Sequence, residues 1–414
     1  MRFGVRPDGA ARGTDESCGV TTVTATDLDA FLSDVARLHD DVGVLSVYVG
    51  IDPSAEATAK PSWEIALDGD LHALRAKLRV EGRHDEWVAF DERLRELAPA
   101  LSWAVDATEH GRGRALFATI GPGKIHTIAL QTRLPTSATL GRVPHLLPLL
   151  AADEGHPIGM VVLGRNVVRA LDARLGSVTK LGAFDVEAVV SDGAERKGPA
   201  AANPLRGQQT VAQRDRYERH VEVEHHRRLK RAAGLVSQLA GERGWELAVV
   251  AGDPRGAHTL VDSLALRGVE AQLVDRDLEA LTLAQLHREL APSLAALRRG
   301  RDLALIQRIQ DAARSGGNGA TGLADVMAVL EEGRVDTLVL DSARPLVGTV
   351  DPDGRLLPPG VVPPGCAGDE LRSEPLVADS IAVRALHSGA RVTVVHGDVA
   401  ELAEADGVAA LLRW

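Results

Sequence analysis

The spacing of apolar and polar positions predicts an α/β domain in the first third of the chain. Helical spacing over Asp27–His39 precedes a strand-like run at Val42–Ile51, and two amphipathic stretches and two further strand-like runs follow up to Gln131. Helices and strands in such an order indicate an α/β domain. We therefore predict a disordered tail over residues 1–24 and an N-terminal α/β domain over residues 25–142.

The middle of the chain has a different pattern. Three strand-like runs between Ile158 and Ala183 are spaced as a meander. A polar loop with Gly and Pro but almost no apolar period covers Ser191–Arg206, and a highly charged stretch without Pro then predicts a long helix over about residues 210–239. Strand, helix and strand alternate after it, which indicates an α/β central domain over residues 143–295.

A third block follows a long helical stretch at Thr282–Arg314. It contains a helix and a strand, a Pro/Gly-rich loop at Pro352–Gly368, and a second helix and strand that end at His396. An α/β/α sandwich buries the apolar sides of such elements, and we predict this C-terminal domain over residues 296–414.

Composition narrows the class of protein. The 414 residues carry a net charge of −11 with 45% apolar residues, which favours a globular protein without a basic coat for free nucleic acid. The sequence has no apolar run of membrane-spanning length and no secretion signal at its start, so we expect a cytoplasmic protein that does not contact a membrane. Cys18 and Cys366 have no CxxC spacing, which gives disulfide and zinc sites no support.

Familiar cofactor and metal motifs are incomplete. Glycines at 317, 319 and 322 spell GxGxxG, but they follow a predicted helix instead of a strand, so we interpret them as a helix-to-helix loop. His220 and Glu224 have the i, i+4 spacing of a metal pair without an evident third ligand, and we interpret them as part of a solvated or RNA-facing surface. We expect neither a cofactor nor a metal.

The most informative stretch runs from Arg206 to Arg231, where an exposed Gly/Gln loop leads into a helix rich in basic residues. Guanidinium groups can contact phosphates, and a tyrosine can stack on bases. A solvated face with i, i+4 ion pairs remains the alternative. The candidate RNA-binding residues are Arg206, Arg214, Arg216, Tyr217, Arg219, His220, Arg227 and Arg228.

The order of these features resembles that of the bacterial archaeo-eukaryotic class-1 release factor-like family, whose relatives include Vms-like release factors, the hibernation factor Balon and pelota. The resemblance rests on the meander from Ile158, the Gly/Gln tip, the phrase Arg216-Tyr217-Glu218-Arg219-His220 and the stretch Leu247–Asp253. Thr321–Gly333 with the strand that follows is similar to the carboxy-terminal domain of the family. The resemblance implies a three-domain α/β architecture with a central RNase H-like domain and a C-terminal α/β/α sandwich resembling a ribosomal L7Ae-like domain.

The tip departs from the family at one position. Release factors carry Gly-Gly-Gln, whose glycines let a glutamine main-chain N–H and side chain stabilise the oxyanion of ester hydrolysis. This chain has Gly207-Gln208-Gln209, and a Cβ at position 208 penalises a left-handed backbone by roughly 1–2 kcal/mol. Gln213 beside Arg214 is a second candidate for the functional glutamine. The candidate catalytic residues are thus Gly207, Gln208, Gln209 and Gln213.

Three functions remain open on the sequence. The leading hypothesis is a tRNA mimic in the ribosomal A site that serves rescue or hibernation, and it does not decode stop codons because the first domain lacks an Asn-Ile-Lys-Ser-like motif. The second is a peptidyl-tRNA hydrolase, and the third is a binding protein with no ribosomal role. The resemblance implies ribosomal RNA at the A site and peptidyl-transferase centre as partner, with peptidyl-tRNA and a translational GTPase such as elongation factor Tu as further candidates. We expect a monomer.

Overall fold

A computed structural model shows an α/β protein with several sheets. It describes residues 28–52, 60–153, 157–186, 211–396 and 399–414. The chain divides into two compact units, residues 1–153 with 302–414 and residues 154–301. The domain boundaries expected near residues 142 and 295 stay predictions. Within the described ranges, no helix is both long and apolar enough to cross a membrane.

A four-stranded sheet organises the first part of the larger unit. The elements are α1 (Leu28–Ala36), β1 (Val44–Gly50), α2 (Ser62–Glu81), α3 (His84–Glu96), α4 (Ala98–Val105), β2 (Gly113–Thr119), β3 (Ile125–Leu130), β4 (Ser137–Gly141) and α5 (Leu147–Ala152). The strand order is β3-β2-β1-β4 with antiparallel neighbours. Every residue of β1 is buried. Trp63 of α2 packs on one face of the sheet, and Phe31 of α1 packs against Phe117 on the other.

The smaller unit is a mixed five-stranded sheet with helices on both faces. The elements are β5 (Ile158–Leu163), β6 (Val167–Arg174), β7 (Ser177–Asp185), α6 (Val211–Arg243), β8 (Leu247–Ala251), α7 (Pro254–Ala265), β9 (Glu270–Val274) and the first part of α8 (Leu283–Arg314). The order is β7-β6-β5-β8-β9, antiparallel across β5, β6 and β7 and parallel across β5, β8 and β9. This topology confirms the predicted meander and the RNase H-like domain.

Both long helices were predicted, and one ends later than expected. The structure extends α6 to Arg243 because the helix continues through Gly241 and stops at Gly244, whose φ of 67° is left-handed. The sheet is covered on one face by α6 and α7 and on the other by the start of α8, where Leu286, Leu290 and Leu294 are buried. The central domain therefore has an apolar core on each side of its sheet.

The last part of the larger unit is an α/β/α sandwich, as predicted. The elements are β10 (Gly319–Thr321), α9 (Leu323–Glu331), β11 (Val335–Asp341), β12 (Gly348–Val350), β13 (Leu356–Leu357), β14 (Arg372–Glu374), α10 (Val377–His387), β15 (Arg391–Val395), α11 (Ala400–Ala403) and β16 (Val408–Leu412). The main sheet has the order β10-β16-β11-β15, with β11 and β15 parallel.

Two expectations for this region were incomplete. The predicted helix-to-helix loop at the GxGxxG glycines contains the edge strand β10, which pairs with β16 through Ala320 and Ala410. The predicted Pro/Gly-rich loop at Pro352–Gly368 contains the strand β13, which joins β12 and β14 on either side of the loop in a small sheet of order β13-β12-β14. Strands of two or three residues carry too few positions to show a period of two, so the sequence pattern did not predict them.

Candidate functional site

The C-terminal half of α6 packs against the rest of the smaller unit, residues 154–301, which we call the central unit from here on. Its buried face consists of Leu229, Ala232, Ala233, Val236 and Ala240. Small side chains on this face let α7 approach closely, and two reciprocal hydrogen bonds join the helices. The hydroxyl of Ser237 donates to the carbonyl of Ser263 at 3.0 Å, and the hydroxyl of Ser263 donates to the carbonyl of Ala233 at 3.1 Å.

A buried carboxylate holds the end of the same helix. Asp172 of β6 accepts a hydrogen bond from the indole Nε1 of Trp245 and another from Nε of Arg243 at 2.7 Å. The Trp245 ring lies so close to Gly159 of β5 that a Cβ on that glycine would overlap it. These contacts tie the turn after α6 to two strands of the sheet.

None of the described side chains in the first half of α6 is buried. Among the described side chains, Arg219, Glu222, Val223, His226 and Arg227 are exposed, and Val223 keeps 57% of its surface. Leu229 is the first buried side chain described on the helix. At 1.5 Å per residue, the helix extends about 27 Å from its first residue to that point. We call residues Val211–Arg228 the projecting segment.

Two contacts attach the end of β7 to the side of the projecting segment. The ring Nδ1 of His225 donates to the carbonyl of Val186 at 3.0 Å. The guanidinium of Arg228 lies 3.8 Å from the carboxylate of Asp185 and 3.5 Å from that of Glu224. The chain therefore leaves the sheet beside residue 225, about 21 Å along the helix from Val211.

The predicted site residues are only partly covered by the described structure. Arg206, Gly207, Gln208 and Gln209 lie outside the described residues. Gln213, Arg214, Arg216, Tyr217 and His220 belong to α6, and their side chains lie outside the description. Arg219 is exposed, and Arg227 pairs with Glu224 at 3.0 Å. All twelve candidates stay predictions.

The geometry is relevant to the two alternatives for the charged face of α6, a solvated surface and an RNA-binding surface. Glu224 is contacted by two arginines, at the i+3 and i+4 positions, as expected for a solvated helix face. Within the described residues, no group of three or more His, Cys, Asp or Glu side chains is placed to hold a metal ion. Basic side chains at 219, 227, 230 and 231 nevertheless remain at the surface, where phosphates can reach them.

The positioning residues were not predicted. His225 and Val186 are 39 positions apart, and Asp172 and Trp245 are 73 positions apart. Their pairing depends on the packed sheet, and neither residue type nor spacing in the sequence indicates it. The structure thus adds the attachment of the projecting segment to a site that the sequence described only by its charges.

The fold and the projecting segment define a multidomain α/β protein whose central unit presents one long charged helix. Residues 157–283, from β5 to the start of α8, match the model of bacterial archaeo-eukaryotic release factor family 5. The match covers less than a third of the chain, and it confirms the family resemblance expected from the sequence for the central unit. The α/β fold class is confirmed as well.

Solved structures give more distant likenesses. An archaeal translation termination factor, aRF1, is 16% identical at a TM-score of 0.25, over 95% of this chain and 99% of that one. Pelota from Archaeoglobus fulgidus is 15% identical at 0.31, over 73% of this chain and 79% of that one. The C-terminal domain of a peptide chain release factor from Methanosarcina mazei is 24% identical at 0.25, over 32% of this chain and 93% of that one. No curated protein matches the sequence.

Proposed function

We propose that the protein is a cytoplasmic translation factor that binds the ribosome as a tRNA mimic in the A site and serves rescue or hibernation without decoding stop codons. The observation that supports this most directly is the projecting segment within the family-matched central unit. A helix anchored at one end and exposed at the other can carry its tip into a narrow site while the sheet stays outside.

The position of the Gly/Gln tripeptide agrees with this use of the helix. Gln209 precedes Val211 by two residues in the sequence, so covalent geometry ties the tripeptide to the beginning of α6. The anchors described above lie at the other end of the helix, at Asp172 and Ser263. The helix therefore separates its first residue, which is next to the proposed tip in the sequence, from its first described buried residue by about 27 Å.

Charge supports an RNA partner for the projecting segment together with the three residues after it, residues 229–231. Between Val211 and Arg231 the sequence has seven Lys/Arg and four Asp/Glu, a local net charge of +3 in a chain of −11. Phosphate contacts of such a helix would position the protein without reading a base sequence. This suits a partner that is always the same RNA surface, as in the ribosomal A site.

Ribosome co-sedimentation at two salt concentrations tests the proposal. The Arg216→Glu, Arg219→Glu double variant should weaken ribosome binding by about tenfold or more, because it removes two phosphate contacts. It should also lower the salt dependence of the binding constant. The matched control is Arg267→Glu, Arg276→Glu, which makes the same charge change at exposed positions of the same unit outside the projecting segment. Equal loss in both double variants, or unchanged binding in the first, would contradict the assignment.

Peptidyl-tRNA hydrolysis is the second candidate function, and the sequence of the tip favours its absence. Gln208 stands where the family has a glycine, and the oxyanion geometry described for Gly-Gly-Gln needs backbone freedom there. Wild-type protein should occupy stalled ribosomes, compete with tRNA and release no peptide, whereas Gln208→Gly should gain single-turnover release. Robust release by the wild type, lost in Gly207→Val, would instead make the protein a hydrolase.

A further inference from the structure

A cavity separate from the projecting segment lies in the larger unit, between the segments before and after β4 and the ends of β11 and β15. Its volume is about 410 Å³, which is within the range of small-molecule sites. Leu134, Pro135, Leu147 and Pro148 give it an apolar wall. The polar part of the lining comes from Thr132, Arg133, His145, Ser342 and His396.

The position of the cavity in the sheet is one that ligands commonly use. Ser342 directly follows β11, and His396 directly follows β15, so both lie at the carboxyl ends of neighbouring parallel strands. In α/β sheets this edge is where loops leave the strands and ligands bind. The two side chains contact each other, with Ser342 Oγ 3.1 Å from His396 Nδ1. His396 Nε2 donates to the carbonyl of Ala151 in α5 at 2.8 Å, which fixes the ring before any ligand arrives.

His145, on the opposite wall, is held at its main chain and its ring. Its N–H donates to Ser46 Oγ at 2.9 Å, and its carbonyl accepts from the hydroxyl of Tyr48. Its ring Nδ1 lies 2.8 Å from Oδ2 of Asp379, whose carboxylate is 1% exposed and accepts the Leu147 N–H through Oδ1. A buried carboxylate accepts from Nδ1–H and so sets the tautomer, which leaves Nε2 as an acceptor for a hydroxyl of a ligand. In the described part of the chain, Nε2 of His145 has no hydrogen-bond partner.

The charge of the lining selects the ligand. Arg133 is the lining residue with a fixed positive charge, and among the described residues no Asp or Glu lines the cavity. The Arg133 side chain is 62% exposed, and its guanidinium lies 3.5 Å from the carboxylate of Asp52, so a ligand anion can share it without a large rearrangement. The apolar wall leaves the rest of the ligand without hydrogen-bond demands.

We propose that this cavity binds a small organic anion with an apolar group. Its charged end lies at Arg133 and donates a hydroxyl to Nε2 of His145, and its apolar part lies against Leu134 and Leu147. The site belongs to the larger unit and is separate from the translation role proposed for the central unit. The proposal assigns a ligand contact to His145 and the role of a positioning residue to Asp379. Both roles go beyond the part of these residues in packing α10 against α5.

Titration of the full-length chain with phenyl phosphate, followed by calorimetry and saturation-transfer NMR, tests the proposal. For a ligand of this size we expect a dissociation constant on the order of 1 mM. Inorganic phosphate, which lacks the apolar part, and benzyl alcohol, which lacks the charge, should each bind at least about tenfold more weakly. Comparable binding of inorganic phosphate would show a simple anion contact and overturn the apolar half of the proposal.

Two variants locate the site. Arg133→Ala removes an exposed cation, and His145→Asn keeps an amide N–H for Asp379 while removing the Nε2 position. Each should weaken phenyl phosphate at least about fivefold, whereas Arg142→Ala, an exposed arginine outside the cavity, should leave it unchanged. Unaltered thermal unfolding would show that the variants are folded. No binding to the wild type at about 10 mM, or equal binding by all three variants, would overturn the proposal.

Discussion

Replacing Asp172 by Ala should loosen the anchor of α6 in the central unit. This carboxylate is buried, and it accepts hydrogen bonds from the indole of Trp245 and from Nε of Arg243. Its loss leaves a buried indole N–H without an acceptor, because Trp245 is 4% exposed against Gly159.

The magnitude follows from the two contacts. A hydrogen bond to a charged group contributes about 1.5–3 kcal/mol when its partner stays buried. The contact with Arg243 adds only about 0.5–1 kcal/mol, since the arginine side chain is 43% exposed and screened by solvent. Asp172→Ala should therefore destabilise the unit by about 2–4 kcal/mol. Asp172→Asn keeps one oxygen for the indole and should cost roughly half as much.

Urea unfolding combined with hydrogen exchange and mass spectrometry resolves this effect by region. Protection should fall in peptides from β5, β6 and β8 and stay constant in peptides from β1 and β2. Asp275→Ala, which removes an exposed carboxylate from the same unit, is the matched control. A change below about 0.5 kcal/mol for Asp172→Ala, or an equal loss of protection in both units, would refute the reasoning.

Three further outcomes are expected. Arg114→Met should destabilise the N-terminal sheet by about 3–5 kcal/mol in urea unfolding, because the buried guanidinium donates to five main-chain carbonyls at and after the end of α4. Gly159→Ala should lower the free energy of unfolding of the central unit by roughly 1–3 kcal/mol in urea, since the new Cβ would overlap the neighbouring indole. Burial raises the pKa of Tyr48 well above 10.0. In a Tyr217→Phe variant Tyr48 is the sole tyrosine, and an ultraviolet pH titration should then show no tyrosinate before the larger unit unfolds. The folded state favours the neutral phenol, so the contribution of Tyr48 to the stability of the fold is complete below pH 10.0 and is lost as the pH rises above it.

The long elements could be predicted because their patterns extend over many residues. The helices α6 and α8 and the strands of the central meander lie close to the predicted positions. Each has enough apolar positions for a helical or alternating period to be distinguished from chance. Their order along the chain, with a polar loop between the meander and α6, also carried the family resemblance.

Short strands and sheet order depend on partners that are distant in the sequence. The strands β12 and β13 have three and two residues, and β10 has three. They exist because a neighbouring strand supplies hydrogen bonds, as β16 does for β10. Periodicity describes one segment at a time and cannot indicate such pairing.

The candidate sites show the same division. Basic residues on α6 are visible in the sequence, but the contact of His225 with Val186 requires the folded sheet. His145 and Asp379 are separated by 234 positions, and neither has a neighbour in the sequence that suggests a ligand site. The chemistry of a side chain can therefore be predicted from the sequence, whereas its partner depends on the tertiary structure.

In the proposed ribosomal role, the uneven charge of the chain would orient the protein through the projecting segment and the three residues after it. Residues 211–231 have a net charge of +3, which leaves −14 on the rest of the chain. In the proposed encounter, ribosomal RNA would repel the acidic parts, and within about 8–10 Å at physiological salt it would attract the basic segment. Productive encounters should therefore begin at α6, and added salt should slow association while also reducing the repulsion of wrong orientations. A basic coat over the whole surface would bind RNA more strongly but would lose this selection of orientation.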